Sequence, residues 1–179
     1  RPWLRYAAEN DCSVHFVEDI ASENLTTRLI AGIDAHTSVV AVSCVQFSTG
    51  SMVDVPRLRE ACACVGARLV IDATQAAGLL EVDSQRWKAD AVVTSGYKWL
   101  GGHGGVALSA VSAGLLEQDP LLPGWFGTNS PFHFEATSLP FAASARRFTQ
   151  STMSYISMAG LATAIDQLLP FGEGQLEMH

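Results

Sequence analysis

One lysine, Lys98, stands in the stretch TSGYKWLGGHGG (94–105), between a serine and a tyrosine on one side and a run of glycines on the other. Upstream, DATQ (72–75) sets a carboxylate, a hydroxyl and an amide within four positions. A lysine amine attacks an aldehyde only when it can shed its proton, and burial among glycines and aromatics would encourage that. An aldehyde cofactor with a phosphate tail makes further demands. A carboxylate at its pyridine nitrogen keeps that nitrogen protonated so that the ring acts as an electron sink, which Asp72 can supply. An amide beside the ring hydroxyl fits Gln75, and a hydroxyl for the phosphate, helped by backbone N–H groups, fits Ser95.

Other chemistries fit these residues less well. In GYKWLGG the glycines follow the lysine, whereas a phosphate-binding Walker loop places them before it and a hydroxyl residue directly after. No GxSxG elbow marks a serine hydrolase. Taken singly, Lys98 would read as a solvated charge, Asp72 as a helix cap and Gln75 as a turn residue. Their joint placement carries the chemical reading.

That placement depends on the elements around them. Residues 14–20 alternate apolar and polar side chains, and 38–47 form a nearly continuous apolar run rich in β-branched residues; both predict strands, the second buried on both faces. VDVPRLREACACVGA predicts a helix, with Asp54 as cap, Pro56 in the first turn, Leu58, Ala61, Cys62 and Val65 on one face, and Gly66 as stop. Residues 67–75 read as a short buried strand whose end carries Asp72, Thr74 and Gln75, and 89–98 repeat the design with Ser95, Tyr97 and Lys98 just past the strand. In open parallel sheets the ligand crevice lies outside the carboxyl ends of the strands, so the two clusters should converge. A further strand follows at 106, then a loop-rich stretch. A helix is predicted over 154–169, with an apolar stripe of Ile156, Ala159, Ala162 and Ile165 and Gly172 beyond its end. Ser151 and Thr152 are placed to cap it. The pattern is α/β, with a mainly parallel sheet flanked by helices.

Composition narrows the class of function. The 179 residues are 48% hydrophobic, enough for one sizeable core, and carry a formal charge of −7. No basic run could track a phosphate backbone or an anionic membrane, which disfavours nucleic-acid and membrane partners. No apolar run approaches the ~20 residues that cross a bilayer. Cys12, Cys44, Cys62 and Cys64 lack the spacing of a zinc site or a disulfide framework, so no metal is expected and a reducing, cytoplasmic setting fits best. Cys44 reads as core, and His36 and His103 as loop residues.

The segments VSCVQFSTGSMVDVPRLREAC, LVIDATQAAGLLEVD, ADAVVTSGYKWLGGHGGVAL and ARRFTQSTMSY together resemble the class V aminotransferase-like branch of the fold-type-I pyridoxal-phosphate enzymes, in that family's order and approximate spacing. The branch includes cysteine desulfurases, kynureninases and several aminotransferases. The resemblance implies a three-layer large domain, pyridoxal 5'-phosphate as cofactor, and an amino-acid substrate. It makes Lys98 the Schiff-base lysine and acid/base at the substrate α-carbon, Asp72 the partner of the pyridinium, Gln75 the partner of the ring hydroxyl, and Ser95 a phosphate ligand. Gln46 falls where relatives place an amide near the ring. Tyr97 precedes the lysine as in kynureninases, where its hydroxyl reaches the phosphate. GWFG (124–127) is similar to a kynureninase stretch and makes Trp125 a contact to cofactor or substrate. Ser151 and Thr152 match a stretch that reaches phosphate across a dimer interface, so a homodimer is implied.

The departures point elsewhere within the branch. Kynureninases carry histidine where this chain has Gln75, and Met153 replaces the proline that commonly follows the Thr152 position. The resemblance assigns residues 1–179 to the central part of the large domain, the family's N-terminal segment and C-terminal small domain falling outside it. The function expected is a class V aminotransferase. The alternatives are a kynureninase-like or other lyase, and a truncated domain without catalysis.

Overall fold

The helix over Val55–Val65 shows how locally this chain specifies its elements. Asp54 is the N-cap, its carboxylate accepting from the Arg57 N–H; Pro56 sits in the first turn, where its missing N–H costs nothing; and Gly66 ends the helix in the left-handed conformation at φ 76°. Leu58 and Cys62, one turn apart, are fully buried.

In the computed structural model, which describes residues 2–20, 24–134 and 137–171, the elements run in the following order. Helices α1 (Pro2–Glu9) and α2 (Leu25–Ala31) precede strand β1 (Val39–Ser43), helix α3 (Val55–Val65) and strand β2 (Arg68–Asp72). A short helix α4 (Ser84–Trp87) leads to strands β3 (Ala91–Ser95) and β4 (Ala107–Val111). Helix α5 (Ala113–Leu116), several 3-10 turns and helix α6 (Tyr155–Leu168) follow. The sheet order is β1-β2-β3-β4, with β1, β2 and β3 parallel and β4 antiparallel to β3. The expected parallel sheet is thus closed on one side by a reversed strand.

The strand register explains which face is core. Val40 and Val42 lie beside Leu69 and Ile71, and Ile71 beside Val92; these side chains meet Leu58 and Cys62 of α3 in a cluster that also takes in Leu25 of α2. Burying a leucine or isoleucine of this kind is worth roughly 1.5–3 kcal/mol each. The opposite face carries Val39, 41% exposed, and Val93. The expectation that 38–47 is buried on both faces therefore does not hold, because β1 is an edge strand with one face open. The run also stops pairing as a strand at Ser43, and Val45 instead bridges Met52 across a turn.

Two further expectations change. Residues 14–20 form no strand: no ladder partner lies beside them, and the alternation reflects Val17 packing on the core while Phe16 stays exposed. In α6 the predicted stripe faces outward, Ile156 being 84% exposed, and the buried side is Ser157 and Leu161. Periodicity located the helix, but its mean hydropathy is nearly uniform around the axis, so it did not select the face. The cap is Ser154 itself, rather than Ser151 or Thr152. Gly172 lies outside the described residues.

One polar link ties the layers together. The Asp90 carboxylate accepts from the Leu69 N–H at 2.9 Å and pairs with Arg59 of α3 at 2.9 Å, both side chains being mostly buried. Asp90→Ala is expected to lower the unfolding free energy by about 2 kcal/mol, since it leaves a buried N–H without an acceptor. Arg59→Ala keeps that N–H paired and should cost less. The ratio of the two denaturation midpoints checks the assignment.

Candidate functional site at the carboxyl edge of the sheet

Strand β2 stops at Asp72 because the next carbonyl turns the chain: Ala73 O accepts from the N–H groups of both Ala76 and Ala77, at 2.9 and 2.8 Å. The register places Ser43, Asp72 and Val93 side by side, with Ser95 two residues beyond on the same face, at the carboxyl edge of three parallel strands. Asp72 is half-buried, and its Oδ1 accepts from the Thr74 N–H at 2.8 Å. The Thr74 hydroxyl accepts in turn from the Ser95 N–H at 3.1 Å. The sequence-predicted pair Asp72 and Ser95 is thus joined through one intervening residue. Gln46, in the turn after β1, donates its side-chain amide back to Ser43 O at 3.0 Å.

The lysine loop is held at both ends. Gly96 N–H donates to Val106 O at 3.0 Å and Gly102 N–H to Gly96 O at 2.8 Å, while Gly101 N–H donates to Lys98 O at 3.0 Å. Glycine is required where neighbours approach. A Cβ on Gly78, in the loop after Gln75, would lie 2.7 Å from the Trp99 carbonyl, and one on Gly102 would lie 2.7 Å from Leu161 Cδ1 of α6. Lys98 therefore projects from a loop gripped between the DATQ turn and α6.

The amine itself is in the open. Lys98 is exposed, makes no ion pair among the described residues, and its Nζ lies 5.3 Å from the Tyr97 ring centroid. The expectation of burial among glycines and aromatics is not met, because the glycines pack their backbones on Leu161 and Trp99 and leave the side chain outside. Gln75 is half-buried.

Neither Trp125 nor Thr152 shares a hydrogen bond or ring contact with Asp72, Gln75, Ser95 or Lys98 among the described residues. The Trp125 ring contacts Phe126, Phe132 and Phe134, beside a cavity of about 410 Å³ whose lining includes Pro123, Asn129, Ser130 and His133. None of Asp72, Gln75, Ser95 or Lys98 lines it. The structure does bring the two outlying segments together: Gly124 lies on the Gln150 backbone, a Cβ on Gly127 would come within 2.5 Å of Arg147 O, and Arg146 donates to Phe126 O at 3.0 Å. Thr152 follows directly and is exposed.

Burial pushes the Cys44 thiol up to about 11, with the neighbouring Asp72 charge adding to it, and burial raises Cys62 as well. Both are free and buried, whereas Cys12 and Cys64 are free and exposed. Alkylation of the native protein at pH 8 is expected to label Cys12 and Cys64 and spare Cys44 and Cys62, read as two mass additions. The raised Cys44 value also has a sign: the unfolded thiol ionises first, so stability is held below pH 9 and falls as the pH climbs towards 11.

Three contributors were not assigned from sequence. Thr74 was visible between Asp72 and Gln75 but had no role; a hydroxyl flanked by a carboxylate and an amide at a strand end is the signal that marks it. Gly78 and Leu161 act through close packing, which leaves no trace in spacing.

No helix among the described residues is long and apolar enough to cross a membrane, and no group of His, Cys, Asp and Glu there could hold a metal ion. The sequence pattern of the family described as aminotransferase class-V matches residues 1–178. An uncharacterized aminotransferase of Bacillus subtilis (strain 168) is 27% identical over 175 residues, covering 97% of this chain and 46% of the relative. A kynureninase of Pseudomonas fluorescens is 31% identical over 157 residues, covering 83% and 38%. Among solved structures, the apo cysteine desulfurase of Thermococcus onnurineus NA1 matches with a TM-score of 0.81 at 24% identity, covering 98% of this chain and 43% of that one. A cysteine desulfurase of Escherichia coli matches at 0.83 and 21%, covering 97% and 43%. The chain spans less than half the length of these relatives. The fold is that of the fold-type-I large domain in part, and the chain belongs to the class-V aminotransferase family.

Proposed function

We propose that this chain supplies the cofactor-holding part of a pyridoxal-5'-phosphate-dependent enzyme that acts on an amino-acid substrate. The observation that carries the reading is the joining of Asp72 to the lysine strand at the carboxyl edge of parallel strands, through Thr74. The donor chemistry fits the cofactor. Asp72 Oδ2, the Gln75 amide, the Ser95 hydroxyl and the Lys98 amine have no hydrogen-bond partner among the described residues, so each is free to engage a ligand.

Within that reading the roles divide by chemistry. Asp72 holds a proton at the ring nitrogen, Gln75 meets the ring oxygen, and Ser95 with nearby backbone N–H groups other than those of Gly96, Gly101 and Gly102 meets the phosphate. Lys98 would hold the cofactor through its amine and would move a proton at the substrate α-carbon. When bound, the cofactor supplies the electron sink that lets a bond at that carbon break. Gln46 contributes its remaining amide oxygen near the ring. The Tyr97 hydroxyl reaches the phosphate, and Trp125 and Thr152 complete the site in a homodimer, the docking of 124–127 on 147–150 bringing their two segments together. The free cysteines fit a cytoplasmic setting.

A second reading within the family, a kynureninase-like lyase, is favoured by Tyr97 directly before Lys98 and by the GWFG segment. Product analysis separates the two, a keto acid marking transamination and alanine or a released side chain marking cleavage. Adding the cofactor tests the reading as a whole. A visible absorption band is expected on mixing, and a protein that stays colourless with excess cofactor is a domain without catalysis.

A further inference from the structure

Thr74 belongs to neither the covalent chemistry nor the core, yet its N–H and its hydroxyl are both committed to the site. In a parallel ladder that continued past Ala73 N–H → Val93 O (2.7 Å), the Ser95 N–H would next donate to Ala73 O. That carbonyl is already taken by Ala76 and Ala77, so the Thr74 hydroxyl stands in as acceptor at 3.1 Å, and β3 is held to the DATQ turn one rung beyond the last main-chain pair. The same residue's N–H fixes Asp72 Oδ1 at 2.8 Å. Ser95 leads through Gly96 into the lysine loop, whose own hydrogen bonds begin at Gly96. Aspartate and lysine make no direct contact, so this two-bond bridge is the side-chain hydrogen-bonded link between them, beside the main-chain pair Ala73–Val93 and the packing of Gly78 on Trp99.

We propose that Thr74 is a positioning residue that couples the orientation of the Asp72 carboxylate to the placement of the Lys98 loop. The proposal rests on the roles given to Asp72 and Lys98 under Proposed function. Valine has nearly the shape of threonine and keeps the N–H that binds Asp72, so Thr74→Val removes only the acceptor for Ser95; Thr74→Ser restores it.

Two readouts test this. In the cofactor-free protein, amide exchange over 94–101 is expected to quicken roughly tenfold or more in Thr74→Val, the size expected when a half-buried N–H loses its acceptor, with α3 unchanged. Thr74→Ser should match the parent. With cofactor, Thr74→Val should move the pH midpoint of the visible band by roughly half a unit or more, because the charge of Asp72 and the lysine link no longer sit in the same relation, and Thr74→Ser should restore it. Unchanged exchange over 94–101 in Thr74→Val overturns the proposal whether or not the protein colours, and so does a shifted exchange with an unmoved midpoint. If Thr74→Val loosens the whole chain, Thr74→Ser decides: parent-like exchange supports the bridge, and valine-like exchange overturns it. A colourless parent would sink the cofactor reading alone, since exchange still reports the bridge.

Discussion

Lys98→Ala is expected to abolish the visible band formed with pyridoxal 5'-phosphate and to lower turnover by at least ~10³-fold, with almost no effect on folding. The contrast follows from the geometry. Lys98 is exposed and contacts the protein chiefly through the Tyr97 ring at 5.3 Å, so its loss should change stability by no more than about 1 kcal/mol. Its chemistry, by comparison, has no substitute among the described residues of the loop: Tyr97 and Trp99 carry no amine, and His103 lies beyond Gly102. Lys98→Arg sharpens the test, since arginine keeps the charge but stays protonated and cannot attack an aldehyde. If either variant kept the band, Lys98 would not be the residue that holds the cofactor. Paired turnover and denaturation measurements separate a chemical loss from a structural one.

Gly78→Ala is expected to cost about 2–4 kcal/mol and to disturb the site without touching any polar group in it. At φ 94° an alanine is strained by about 1 kcal/mol, and its Cβ would lie 2.7 Å from the Trp99 carbon and oxygen and 2.8 Å from the Leu100 nitrogen. Those are backbone atoms, which cannot rotate away, so the lysine loop itself has to move; overpacking of this kind costs roughly 1–3 kcal/mol. Gly50→Ala is the control. It shares a positive φ of 74° but meets nothing within 4 Å, so only the conformational cost of about 1 kcal/mol applies. A denaturation midpoint for Gly78→Ala no lower than that for Gly50→Ala would mean the loop gives way freely.

Local signals in the sequence were read well where one residue decides one bond. Asp54, Pro56 and Gly66 bounded α3, Ser154 fell at the start of α6, and DATQ marked the end of β2. The placement of Asp72 and Ser95 on one edge was legible for a related reason, since parallel pairing of two short apolar strands leaves little freedom of register. What escaped was set by neighbours distant in sequence. Whether Lys98 is covered depends on what packs over the loop, and glycines that suggest enclosure proved to be sites of backbone contact with Leu161 and Trp99. The direction of α6 was hidden because Ile156, Ala159 and Leu161 are all apolar and only the lysine loop selects among them. The reversal of β4 was likewise silent, as a short apolar run such as VALSAV carries no signal of strand direction.

That reversal has a thermodynamic consequence. Because β3 and β4 are antiparallel neighbours, the segment between them leaves and re-enters the sheet at adjacent positions, and Gly96 meeting Val106 closes it into a ring of main chain. A loop closed in this way, with Gly101 bonded to Lys98 and Gly102 to Gly96 inside it, has already lost part of its backbone entropy, at about 1–2 kcal/mol per residue fixed, before any ligand arrives. Ordering the rotamers of the exposed Lys98 side chain on binding costs roughly a further 0.5–1.5 kcal/mol. The hairpin thus presents a partly preorganised arm, tied by its main chain around Lys98 and open at the side chain, so less of the affinity for an aldehyde goes into ordering the segment that captures it.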